Sequence, residues 1–155
     1  MEPDDSVASV EPRASGRRAA WFDALAAAVA LVGLLDAIYL TVEHLAGRTV
    51  RCTVVAGCDK VLQSDYSSVG GIPLAALGAL AYFAVFSLAI LSAFGYTRLR
   101  VLLTILVALM FAASLWLLYL QAFVIRAFCQ YCLLSAAVTT LLLILVVAGR
   151  LFRFK

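Results

Sequence analysis

From Val101 to Ile125 the chain runs for 25 residues without a charged side chain. A helix that is apolar all round must be enclosed on every side, by a large protein core or by lipid. A membrane-spanning helix takes about 20 apolar residues, and this run exceeds that length. Three further stretches read the same way: Trp21 to Leu45, Pro73 to Phe94 and Ala127 to Gly149. Four spans consume about 80 residues of a chain of 155, which leaves no room for a soluble catalytic domain. The composition agrees, with 65% hydrophobic residues, 14% charged and a mean hydropathy of +1.05. Soluble domains run at roughly 45–50% apolar and about 25% charged. The expected fold is therefore all-α, a polytopic four-helix bundle with the bilayer as its solvent.

The connections sharpen this picture. Residues 1–18 hold two of the three prolines, four acids and three arginines, and read as a disordered tail. Their acidic start and the long apolar stretch behind them do not match a cleaved signal peptide, so the first stretch is expected to remain as span one. A loop from Ala46 to about Ile72 carries Arg48, Arg51, Cys52, Cys58, Asp59, Lys60 and Asp65 before a Gly70-Gly71-Ile72-Pro73 break. Pro73 suits the start of a helix, where its missing N–H is not needed. Spans two and three are joined by the short basic turn Gly95 to Arg100, and spans three and four by a connection around Arg126. Residues 19–149 thus form the four-span unit and residues 150–155 a basic tail.

Basic residues favour the cytoplasmic side of a membrane. The N-terminal tail, the 95–100 turn and the C-terminus contribute Arg13, Arg17, Arg18, Arg98, Arg100, Arg150, Arg153 and Lys155; the other side has Arg48, Arg51, Lys60 and Arg126. Both termini are expected to be cytoplasmic, which places all four cysteines at the outer face, where disulfides persist. The net charge of +3 needs no further explanation. No internal repeat, nucleotide-binding glycine loop or nucleic-acid patch is present in the sequence.

The cysteines form two pairs, Cys52-x5-Cys58 in the loop and Cys129-Gln130-Tyr131-Cys132 at the outer start of span four. Three readings are open at this point: structural bridges, a metal site, and a redox relay. Structural zinc usually takes C-x(2–4)-C pairs, and the x5 spacing fits that poorly. In the C-x-x-C, the i and i+3 sulfurs share a helix face. Cys129 would lie at a helix N-terminus, where unpaired N–H groups and the helix dipole favour a thiolate. Cys132 would sit one turn deeper, among apolar residues.

Two polar groups, Gln121 and Asp36, lie well inside the apolar spans. Gln121 is five residues before Arg126, ~7.5 Å of helix, and Cys132 six residues after it, ~9 Å. At this similar depth Gln121 is placed to hydrogen-bond a quinone carbonyl or, alternatively, a neighbouring helix. Asp36 and Glu43, seven residues apart with Tyr39 between them, fall on one side of span one. A carboxylate at depth costs about 2.5–3.5 kcal/mol, so Asp36 should face the bundle interior or a wet cavity, either packed with a partner or on a proton path. His44 is expected at the interface.

Taken in order, these residues resemble the vitamin K epoxide reductase family in its short prokaryotic form. The resemblance runs from Tyr39-Leu40-Thr41 and His44 through Cys52, Gly57-Cys58-Asp59-Lys60-Val61-Leu62, Ser64 and Tyr66-Ser67. It continues through Gly71-Ile72-Pro73, Gly78 and Tyr82 to Phe128-Cys129-Gln130-Tyr131-Cys132. It implies a four-helix bundle around a quinone, capped by a loop with a short half-helix near residues 58–67. It implies that Cys52 and Cys58 form a shuttle disulfide, with Cys52 exchanging with a partner's thiols and Cys58 with Cys129. Cys132 would deliver electrons to the quinone, and Ser64 would help to place the half-helix, its alternative being a local cap. Leu62, Leu74, Gly78, Tyr82, Leu117 and Gln121 are the expected quinone-binding residues.

Two positions depart from the vertebrate pattern. Leu74 stands where those members carry an asparagine and Ala136 where they carry a tyrosine, and neither can bond a vitamin K head group. This favours quinone reduction over epoxide reduction. The acceptor is expected to be a membrane quinone of the menaquinone, ubiquinone or vitamin K type. Many prokaryotic members carry a fused thioredoxin-like domain after a fifth span; here the resemblance implies a separate secreted thioredoxin-fold partner of the Dsb type. The expected setting is the bacterial cytoplasmic membrane with the site on its outer face, supporting disulfide formation in exported proteins. The alternatives are an epoxide reductase proper, a structural membrane protein with two inert disulfides, and a transporter, for which one deep carboxylate is thin support. A further rival, the other bacterial quinone-linked thiol oxidase type, carries its C-x-x-C first, the reverse of the order here.

Overall fold

The structure, a computed structural model, describes residues 11–48, 50, 52, 57–94, 96 and 98–154. Residues 1–10 of the expected tail, Arg51, Gly95 and Lys155 lie outside the described residues. The elements in order are α1 (Glu11–Leu45), a short α2 (Cys58–Leu62), a 3-10 turn (Asp65–Ser67), β1 (Ser68–Val69), β2 (Ile72–Pro73), α3 (Leu74–Ala93), α4 (Leu99–Tyr119) and α5 (Gln130–Phe154). A π-helical segment, Leu120–Ile125, extends α4. Four stretches are long and apolar enough to cross a membrane: Ala20–Leu45, Leu74–Ala93, Leu99–Ile125 and Gln130–Phe152. The expected all-α four-helix membrane bundle is therefore what the chain forms.

Two boundaries differ from the sequence expectation. Helix α1 begins at Glu11, so residues 11–18 of the supposed disordered tail continue the first helix. Pro12 is compatible with a first helical turn, and the Ala and Arg residues after it are strong helix formers. At the other end, α5 runs to Phe154 and takes in most of the expected basic tail. The half-helix expected near residues 58–67 is present as α2 and the 3-10 turn.

The four long helices form a ring in which α1 packs on α3 and α5, and α4 packs on α5 and α3. One half of the bundle is closely filled by Ala26, Ala27 and Ala30 of α1 against Val85, Ala89, Leu103, Val107, Val138, Leu142 and Val146. Small side chains let helices approach, which matters where lipid offers apolar groups no reason to leave it. Near the same end Asp23 of α1 pairs with Arg100 of α4, both largely buried. Arg100 thus belongs to the bundle as well as to the charge pattern.

The hairpin β1/β2 pairs Val69 with Ile72 and Ser68 with Pro73. Gly70 and Gly71 turn it with φ of 60° and 83°, left-handed values that glycine adopts freely. The hairpin leads directly into α3, with Pro73 at its N-cap position. The loop between α1 and α3 is thereby laid over the open half of the ring.

Candidate functional site

Each cysteine is placed by a distinct local device. Gly57 precedes α2 with φ of 149°, and Val61 N–H donates to the Gly57 carbonyl at 3.2 Å. A Cβ on Gly57 would stand 2.9 Å from the Phe128 carbonyl oxygen and 3.2 Å from Ala127 Cβ. Only glycine lets α2 lie this close to the strand of chain that enters α5. Cys58, 2% exposed, and Cys129, fully buried, consequently share one packed cluster with Val61 and Ala127, against which Cys52 and Cys132 also pack. Cys52 and Cys58 are disulfide-bonded, with Cα atoms 6.1 Å apart, while Cys129 and Cys132 are free thiols. Cys52 is half-buried, the more open member of its pair.

The C-x-x-C turn is built as its position in the sequence suggests. Cys129 immediately precedes α5, and its carbonyl accepts the Leu133 N–H at 3.0 Å. Its sulfur is hydrogen-bonded first by the Cys132 thiol and then by the backbone N–H groups of Tyr131 and Cys132. These bonds outweigh the effect of burial and hold the Cys129 thiol below its ordinary range, at about 6. A thiolate is the nucleophilic form, so Cys129 is primed for exchange at neutral pH.

Below this cluster lies a cavity of about 290 Å³, walled by α1, α3, α4 and α5 and roofed by the loop. Of the residues expected from sequence, Leu62, Ser64, Leu74, Gly78, Tyr82, Leu117, Gln121 and Cys132 all line it. Cys52, Cys58 and Cys129 do not; they lead up to it. Asp36 lines the same cavity, as does His44. Glu43 is separated from Asp36 in role, since it forms an ion pair with Arg48 at 3.5 Å.

Several side chains are used differently from expectation. The Ser64 hydroxyl donates to the Val61 carbonyl of α2 at 2.7 Å, and the residue also lines the cavity. Gln121, 1% exposed, accepts the Cys129 N–H on its side-chain oxygen at 3.0 Å and also lines the cavity. Ala136 is buried, and its neighbour Ser135 meets the cavity instead. Ser135 Oγ lies 2.8 Å from the Tyr82 hydroxyl. The Tyr82 ring fits because Gly33 of α1 has no Cβ; one built there would overlap the ring.

Sequence reasoning missed Gly33, Ser135 and the special position of Gly57. It also missed Arg126, whose left-handed φ of 52° closes the π-helical segment and turns the chain toward Cys129. A non-glycine residue in that region carries no distinctive sequence signal. The contact of the Tyr39 and Tyr131 rings, 5.7 Å between centroids, likewise ties α1 to the C-x-x-C turn without a motif to announce it.

The arrangement can pass electrons inward by thiol exchange, from a half-open bonded pair through buried sulfurs to a free thiol on a mostly apolar cavity. Matched against models of known families, residues 24–147 fit the vitamin K epoxide reductase family. That stretch includes all four cysteines and every residue named on the cavity wall.

Proposed function

Since the chain belongs to the vitamin K epoxide reductase family, a family of membrane oxidoreductases, we propose that it passes electrons from a thioredoxin-fold partner through its two cysteine pairs to a membrane quinone. The observation that carries this reading is the continuous packing of the four cysteines, ending with Cys132 on the cavity wall.

Each exchange is a thiolate attack that breaks one S–S bond and makes another. A partner thiolate attacks Cys52 and breaks the Cys52–Cys58 bond; the partner's second thiolate resolves the mixed disulfide and leaves both loop cysteines reduced. Cys58 attacks Cys129 of an oxidised Cys129–Cys132 pair and releases Cys132 as a thiolate. Cys52 then attacks Cys58, restoring the loop bond and releasing Cys129. The pairing observed, with Cys52–Cys58 bonded and both C-x-x-C thiols free, corresponds to the state that follows this step.

The cavity suits a ring head group. Its volume of about 290 Å³ lies just below the range of about 300–1,000 Å³ for ligand pockets, and its walls are mainly apolar with a few convergent polar groups. The chemistry a quinone supplies there is acceptance of the electron pair and two protons as the Cys129–Cys132 bond closes. Tyr82 and Ser135 offer hydroxyls at the wall, and Asp36 is the carboxyl available to hold or move a proton. Leu74 contributes an apolar side chain where the vertebrate members carry asparagine, which supports quinone over epoxide as substrate. Free thiols at Cys129 and Cys132 weigh against a structural protein with two inert bridges.

In this reading the protein sits in the bacterial cytoplasmic membrane with the loop outward, and its net effect is disulfide formation in exported proteins. The test is quinone reduction by the purified protein with a reduced thioredoxin-fold donor. Activity that depends on all four cysteines is expected; quinone reduction that survives loss of any one of them contradicts the relay.

A further inference from the structure

Gln121 is the only side-chain amide in α4 and its π-helical extension. Burying an amide is costly unless its polar atoms are bonded. In an ordinary bundle such a residue bonds across to a neighbouring helix. Here its oxygen accepts the Cys129 N–H at 3.0 Å, and the same amide also hydrogen-bonds the Cys132 side chain. Since the oxygen accepts from Cys129 and a thiolate can only accept, the NH2 is the group left to donate to the Cys132 sulfur. The backbone carbonyl of Gln121 is engaged as well, by the N–H groups of Arg126 and Ala127. The connection between α4 and α5 is therefore folded around this one residue, through a π-helical turn and the left-handed Arg126. Segments of π-helix recur at functional sites.

We propose that Gln121 is a positioning residue of the C-x-x-C: its oxygen fixes the Cys129 main chain, and its NH2 group favours Cys132 as the thiolate that leaves when Cys129 is attacked. The proposal rests on the relay reading for its purpose. In the step concerned, the attacking thiolate forms a bond to the Cys129 sulfur, the Cys129–Cys132 bond breaks, and its electron pair stays on Cys132. A donor beside that sulfur stabilises the charge as it forms, and a lower-energy leaving thiolate leaves faster. Without it, Cys132 would have to hold the charge beside an apolar cavity.

The test uses full-length protein in detergent with Cys52→Ser and Cys58→Ser, so that only the Cys129–Cys132 disulfide remains. Its opening by mercaptoethanol is followed against pH in this parent, in Gln121→Leu and in Gln121→Glu. The Leu variant loses both bonds and should open about tenfold more slowly, the scale of one lost hydrogen bond to a charged group. The Glu variant keeps an acceptor for the Cys129 N–H. Its rate relative to the parent should fall as pH rises, because an ionised carboxylate repels the departing thiolate.

The other titratable groups that act on Cys132 or share its cavity are Cys129, Tyr131, Asp36 and His44 of α1, Tyr66 of the loop and Tyr82 of α3. All are unchanged between the proteins, so the ratio of rates isolates position 121. A Leu variant that opens as fast as the parent overturns the proposal. If that variant does not fold, the Glu variant decides alone, and a ratio constant with pH overturns it. Opening by a small thiol needs no quinone; a parent that opens as described while wild-type protein fails to reduce quinone would sink the functional reading and leave this inference standing.

Discussion

Gly57 and the Phe128 carbonyl meet so closely that a Cβ on Gly57 would lie 2.9 Å from the oxygen. The residue after Gly57 is Cys58 and the residue after Phe128 is Cys129, so this contact sets how near the two cysteine pairs come. Gly57→Ala meets both a steric clash and an unfavourable φ of 149°. The variant should slow electron transfer between the pairs by about tenfold or more, since small misplacements of reacting groups are costly. Stopped-flow reduction of Cys129–Cys132 by the donor measures this, while the first exchange at Cys52 should keep its rate.

Cys129 has its sulfur hydrogen-bonded by the Cys132 thiol and two backbone N–H groups, and its thiol is held at about 6. A depressed value means that the thiolate is present above that pH and is lost as pH falls through it. In protein with Cys52→Ser and Cys58→Ser, reduced, the thiolate absorbance in the ultraviolet should show a midpoint near pH 6. Cys132→Ala removes the largest of the stabilising bonds, and the midpoint should move upward. An unchanged midpoint would contradict the hydrogen-bonded pairing of the two sulfurs.

Leu117 lines the cavity from α4, away from the packed cluster of cysteines. Leu117→Trp should fill much of the 290 Å³ and raise the KM for quinone several-fold or abolish turnover. The exchange between donor and the Cys52–Cys58 pair should continue in the variant. Loss of both activities together would show that the cavity and the relay are not separable in the way described.

At the other end of the bundle, Asp23→Leu leaves the largely buried Arg100 without its carboxylate. Removing one partner of a buried pair typically costs about 3–5 kcal/mol. Replacing both with leucine should restore much of that loss. Thermal unfolding in one detergent, compared across the three proteins, checks the order: wild type and the double variant close together, the single variant well below.

The fold was largely legible from residue type. Apolar runs without charge, the Gly70-Gly71 turn and Pro73 mark the spans to within a few residues, because lipid leaves a chain few choices but helix. The C-x-x-C and its place at a helix start were equally plain. The arrangement of the site was less so. Gly57 against Phe128, Gly33 under the Tyr82 ring and Asp23 with Arg100 are contacts between distant parts of the chain, set by how the helices pack. Gln121 stood out as a polar residue in an apolar span, yet its bonding depends on the left-handed turn at Arg126, which no local pattern signals. The extension of α1 to Glu11 shows the converse limit: a polar composition lowers the tendency to fold without preventing a helix from growing out of an adjacent span.

The central claim is that Cys58 and Cys129 exchange electrons directly, and trapping their bond tests it most plainly. With Cys132→Ala, the Cys129 thiolate has no partner in its own pair and should attack Cys58, releasing Cys52 and stopping the relay there. Non-reducing peptide mapping by mass spectrometry is expected to recover a Cys58–Cys129 disulfide with Cys52 free. Recovery of Cys52–Cys58 alone, with Cys129 unbonded after incubation with the reduced donor and quinone, would contradict the account.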